Sequence, residues 1–280
     1  MSKKLQLVSV ALMLGVLSSN SEAQSLSGEN LPEPAREFLM DALTASGLSS
    51  GRVSSFERTA KRQAELLLGV IKDVGVVAAK VKYGDAADKV IDIYIAKKDL
   101  LTEPALIQAM TDEVNAQVSS MGPGRKQMMH IPPTNHYTFD VAPSSILNKA
   151  RFKQELQGHP EVVPGRFFPP DVGEKAFHIE LPKTLNTISG TWNGSCTYQG
   201  DTNAFKLKLR RVSSGYKGGL EGNGSSVPFT KVSIDRRAKQ IRFTMNDEGD
   251  IVNFTGNLGN LNKSINVTFT PGNGKCRWTK

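Results

Sequence analysis

The period of the apolar positions changes near Pro182. Upstream, stretches with apolar residues three and four apart alternate with short runs that repeat every second residue, the signatures of helix and strand. Phe38, Leu39, Ala42 and Leu43 share one helical face over residues 33–46, and Gly47 follows as a C-cap. Residues 52–55 read as a short strand. A helix is predicted over 59–81, with Ala64, Leu67, Leu68 and Ile71 on one side. Residues 90–96 are apolar enough for a strand, but their lysine-rich flanks favour helix. Residues 104–119 form another predicted helix, with Pro104 in its first turn. Residues 127–131 and 137–141 read as two strands joined by the turn Pro132-Pro133-Thr134-Asn135. A short helix over 148–158 and a strand over 176–181 complete this region.

Downstream, short β-like runs dominate, punctuated by Gly, Asn and Ser, and several alternate cleanly with period two. Strands are predicted at 190–198, 204–212, 215–221, 229–234, 240–245, 251–258, 264–270 and 276–279, and Phe205, Leu207 and Leu209 alternate with basic residues. Short strands with turn signals between them predict an antiparallel barrel or sandwich. The run Gly190-Thr191-Trp192-Asn193-Gly194 opens it, as in small β domains appended to exported proteins, and Trp192 is expected to plug one end. Asn193, Asn223, Asn253 and Asn266 read as turn or strand positions rather than sugar acceptors.

The first residues, Met-Ser-Lys-Lys, precede an apolar run from Leu5 to Leu17 and the small-residue site Ser21-Glu22-Ala23. That three-part pattern predicts a signal peptide over 1–23, cut before Gln24. The expected organisation is therefore signal 1–23, an α+β domain 24–182 and a β domain 183–280, in a periplasmic or secreted protein without a membrane anchor after cleavage. The apolar run is too short to remain as a spanning helix. Removing the signal leaves 33 basic and 26 acidic residues, spread along the chain. A basic balance favours anionic partners, and outside the membrane these are wall polymers or lipid headgroups rather than nucleic acid. Two cysteines, Cys196 and Cys276, are expected to bridge in an oxidising compartment. Closing a loop of about 80 residues contributes roughly 4 kcal/mol by chain entropy.

Four histidines carry the candidate chemistry: His130, His136, His159 and His178. A catalytic zinc needs about three protein ligands and one open position. His130, Asp140 and His178 meet that need. On the strand 176–181, period two puts His178 and Glu180 on one face, and a carboxylate beside the metal provides a general base. Arg58, between a short strand and a helix, presents a guanidinium able to grip a carboxylate in bidentate fashion.

The run Ser55-Phe56-Glu57-Arg58-Thr59 with Gln63 resembles the S-G-Y-R-S-x-x-x-Q element of zinc D-alanyl-D-alanine peptidases, a family that includes D-Ala-D-Ala carboxypeptidases and L-alanyl-D-glutamate endolysins. Met128-Met129-His130 with Phe139-Asp140 is similar to its S-x-H-x-x-G-x-A-x-D element, and Glu174-Lys175-Ala176-Phe177-His178 to its E-x-x-H element. The three occur in the family's order over residues 30–182. The resemblance implies an α+β fold with a small antiparallel sheet, Zn²⁺ on His130, Asp140 and His178, substrate carboxylate on Arg58 and Gln63, and cleavage of peptidoglycan stem peptides. Nine residues separate His130 from Asp140 where the family has six, which leaves His136 as an alternative ligand. Lys175 stands three before His178, where the family has its acid/base glutamate, so Glu174 and Glu180 are both candidates. A non-catalytic wall- or envelope-binding protein on the same fold is the alternative expectation.

Overall fold

The computed structural model describes residues 25–280 apart from 84, 123–127, 129, 133, 173–174, 213, 223, 248 and 271–272. The predicted signal segment and Glu174 therefore lie outside the described residues. The architecture is α+β followed by a closed eight-stranded antiparallel barrel.

The first region runs β1 (Ser25–Gly28), α1 (Glu33–Ala45), β2 (Ser50–Ser55), α2 (Ala60–Val74), α3 (Val76–Tyr83), α4 (Asp85–Lys97), α5 (Glu103–Met121), β3 (His136–Val141), α6 (Lys149–Leu156), β4 (Phe167–Phe168) and β5 (Phe177–Pro182). Its sheet has the order β1-β2-β3-β5-β4 and is mixed: β1 runs parallel to β2, and the other pairs are antiparallel. One face carries Phe139, Val141, Phe177 and Ile179, and packs against Phe38, Leu39 and Leu43 of α1 and Phe152 of α6. Helices α2 to α5 build a separate apolar cluster around Leu67, Ile91, Met110 and Val114, which Ile131 joins.

Two sequence expectations need correction. The helix predicted over 59–81 breaks at Gly75, whose φ of +83° lies in the left-handed region that favours glycine, and α3 starts anew after it. Of the strand expected over 127–131, Gln127 and Met129 lie outside the described residues, and the rest is not the hairpin partner of β3: Met128 and His130 lie in a turn, with the Ile131 amide donating to the Met128 carbonyl at 3.1 Å. The partners of β3 are β2 and β5, which offer longer apolar faces than that turn does. Strands β1 and β4 are too short to show a period in the sequence.

The second region forms β6 (Gly190–Tyr198), β7 (Asp201–Val212), β8 (Gly215–Gly222), β9 (Ser225–Asp235), β10 (Gln240–Asp247), β11 (Asp250–Leu258), β12 (Ser264–Thr270) and β13 (Gly274–Thr279). Each strand pairs with the next, and β13 pairs with β6 to close the barrel. The disulfide Cys196–Cys276 joins those two strands directly opposite each other. Trp192 and Trp278 are fully buried at one end, and the Trp192 indole donates to the Ile188 carbonyl at 2.8 Å. The evenly spread charge read from the sequence is not how the two regions divide: residues 183–280 carry 15 Lys and Arg against 6 Asp and Glu.

The barrel is seated on the outer face of α1. Glu37, 1% exposed, accepts from the Ile188 and Ser189 amides at 2.8 and 2.9 Å and from the Tyr216 hydroxyl at 2.8 Å. One turn on, Asp41 accepts from Arg211 at 2.7 Å. Arg236 reaches in from the barrel, buried, with Asp41 at 3.2 Å and Glu161 at 3.6 Å. Arg237 donates to the Gln154, Glu155 and Gln157 carbonyls and so satisfies the end of α6. Charges buried this deeply are tolerated only while paired. No described helix is long and apolar enough to cross a membrane.

Replacing Arg236 by Ala leaves Glu161 buried without its cation and Asp41 with Arg211 alone, and denaturant unfolding is expected to show a loss of about 3–5 kcal/mol. Acid should weaken the same junction. Burial first, and then Arg236, lowers the His159 pKa from 6.5 to about 3. Below the unfolded value the unfolded chain takes a proton that the folded chain refuses, so this contribution is present at neutral pH and declines as pH falls from 6.5 towards 3. The limiting slope is about 1.4 kcal/mol per pH unit. Unfolding free energies of wild type and His159→Gln across that window should diverge by this slope; parallel curves would refute it.

Candidate metal centre

The sheet's two faces divide the labour. Strand β3 pairs with β5 in the register Asp140↔His178 and Thr138↔Glu180. Because side chains alternate, Phe139, Val141, Phe177 and Ile179 fall on the core face, and His136, Asp140, His178 and Glu180 share the other. The sequence arranges this locally, through the alternating runs His-Tyr-Thr-Phe-Asp-Val and Phe-His-Ile-Glu-Leu.

The third donor comes from a different layer. His130 sits in the turn after α5, held by its neighbour Ile131 in the helical cluster and by its own carbonyl, which accepts from the Arg58 amide at 2.7 Å. His130 Nε2 lies 3.3 Å from Asp140 Oδ2, and His178 Nδ1 lies 2.9 Å from Asp140 Oδ1. One ligand atom from each of His130, Asp140 and His178 lies within 4.8 Å of the others. Two imidazoles and a carboxylate at this spacing fit the three protein ligands of a tetrahedral cation, with the fourth position open. The other ring nitrogens, His130 Nδ1 and His178 Nε2, are buried with no hydrogen-bond partner.

The electrostatics agree with a cation site. Burial works to lower the His178 pKa, but the Asp140 hydrogen bond and the adjacent Glu180 carboxylate outweigh burial and push it up to about 9. Burial likewise works to raise the Asp140 carboxyl, yet His130 and His178 hold it well below the usual carboxylate range. In this state a proton on His178 supplies the positive charge that the two carboxylates demand, and a metal ion would displace it.

The remaining predicted residues divide. Glu180 lies 3.5 Å from His178 Nε2, as the strand period requires. Its other oxygen bonds His136 Nδ1 at 2.7 Å, and Arg166 lies 3.4 Å away. His136, the alternative ligand, therefore holds Glu180 rather than joining the triad. Arg58 is half-buried beside the centre, donating to the Ser55 hydroxyl at 2.9 Å; burial lowers its pKa while Asp140 raises it. Gln63 lies in the first turn of α2, half-buried, and makes no side-chain bond to the triad. Lys175 is exposed just before β5. Sequence reasoning missed Arg166 and the support role of His136; His136 pairs with Pro182 across the sheet, and only that register brings it diagonally to Glu180.

No protein-family model matches the chain, and no curated protein matches it.

Calorimetric titration with Zn²⁺ is expected to show one site per chain and a raised Tm. Asp140→Ala and His178→Ala should each abolish binding while leaving the barrel's disulfide and unfolding intact. Unchanged stoichiometry in both variants would place the cation elsewhere.

Proposed function

We propose that this protein is a zinc-dependent peptidase acting on peptidoglycan stem peptides outside the cytoplasm. The observation that carries the reading is the convergence of His130, Asp140 and His178 from a turn and two strands. They follow the chain order of the family the sequence resembles. Two imidazoles and one carboxylate with an open position suit zinc, which when bound supplies a Lewis acid and an activated water at neutral pH.

The chain's own groups do the rest. Glu180 stands beside the triad as the proton acceptor. Burial works to raise its pKa, but His178, Arg166 and His136 outweigh it and keep the group ionised, the form a general base requires. Arg58, tied through its amide to the His130 carbonyl, offers its fork to the terminal or side-chain carboxylate of a stem peptide. Phe168, 5.5 Å from the His178 ring, shields the imidazole from water. The Cys196–Cys276 bridge fits an oxidising compartment, and the basic barrel fits an anionic envelope.

A binding module on the same fold is favoured by one residue: Lys175 occupies the position where the family places its acid/base glutamate. Digestion of purified muropeptides by the zinc-loaded protein separates the two. Cleavage is expected, with Glu180→Gln lowering kcat/KM by about 10²–10⁴-fold at unchanged zinc content. Arg58→Lys should act mainly on KM. Retention on peptidoglycan without product at full zinc load would refute the peptidase reading in favour of the module.

A further inference from the structure

The barrel is filled at one end and hollow at the other. Near the α+β domain its inward positions are Trp192, Leu207, Ile241, Ile265 and Trp278, all with 0% exposure. Towards the opposite end a cavity of about 600 Å³ opens, bounded by Phe205, Phe254, Phe269, Val227, Val252 and Met245. Most of these apolar side chains point inward yet are only half-buried. An eight-stranded barrel is wide enough either to be filled by side chains or to hold one small ligand; this one does each in a different half.

The hollow is built by the wall. The Phe205 ring lies against Gly222 of the neighbouring strand, and Phe269 pairs with Gly274. A Cβ on Gly222 would meet the Phe205 ring at 2.5 Å, and one on Gly274 the Phe269 ring at 1.9 Å. Both rings therefore lie back over a glycine, against the wall, instead of across the lumen. Phe254 and Cys196 also line it. The polar groups Asn203, Ser225 and Asp250 border the cavity, and Asp250 starts β11 at the rim.

We propose that this cavity is a binding site for a small uncharged or cationic amphiphile, its apolar body between Phe205, Phe254 and Phe269 and its polar head towards Asp250. The volume lies within the range of small-molecule sites, and its apolar walls with a few polar groups are their usual chemistry. An anionic head is disfavoured by Asp250. Strand topology separates this site from the metal centre: the mouth is formed where β6, β8, β10 and β12 end. Arg211, Tyr216 and Arg236, which hold the α+β domain, lie at the opposite end of the barrel.

The test uses N-phenyl-1-naphthylamine, an uncharged aromatic probe whose emission rises in apolar surroundings, with the full disulfide-bonded protein. Saturable binding of one probe per chain is expected, unchanged by chelator. Val227→Trp and Val252→Trp, on different strands, each fill the hollow and should weaken binding at least tenfold, in variants whose thermal unfolding matches wild type. Absence of saturable binding to the wild type would overturn the proposal. So would wild-type affinity in both folded variants, or loss of binding on chelation.

Discussion

Everything in the first domain depends on the register of β3 against β5. Six consecutive cross-strand pairs, from His136↔Pro182 to Val141↔Phe177, put Asp140 opposite His178 and Thr138 opposite Glu180. A slip of one residue would turn Phe139 and Ile179 out of the core and bury the polar set in their place. Folding and site assembly are thus the same event. The apolar face that α1 and α6 cover is what holds the polar face in order, and the cost of gathering Asp140 and Glu180 beside each other is met by the imidazoles of His130, His136 and His178 and by Arg166 rather than by water.

What could be read from the sequence follows the range of each interaction. Every barrel strand was legible, because short β-like runs, several of them alternating cleanly, recur with Gly and Asn between them. The helices were legible too, including α4, where lysine flanks outweighed a β-like apolar core. His178 with Glu180, and the Cys196–Cys276 pair, followed from local period and from chemistry. The position of His130 did not. A strand partner was the natural reading of an apolar run before a proline turn, whereas the residue is held from outside the sheet, by the helical cluster and by Arg58. The break at Gly75 hid inside an otherwise continuous helical pattern.

Least legible was the junction between the domains. Glu37 and Asp41 look like ordinary solvated residues on the polar side of an amphipathic helix. Their partners, Ser189, Arg211, Tyr216 and Arg236, lie about 150 or more positions away in sequence. Helix α1 is in fact buried on both sides, apolar against the sheet and ionic against the barrel. Because Glu37 accepts several hydrogen bonds from the barrel and Arg237 ends α6, the two domains share a hydrogen-bonded seam instead of a free hinge.

The closing seam between β6 and β13 has a consequence for how the barrel is made. The two cysteines that meet there are 80 positions apart. Successive hairpins from β6 to β13 can form locally, but β6 and β13 each keep an open edge until the seam zips. The rate of acquiring the native barrel is thus governed by a single non-local encounter, the slowest kind for a chain of this length. The covalent bond records that the encounter has occurred: the thiols become neighbours only in the finished ring, so oxidation acts as a latch on a completed fold instead of a guide towards it.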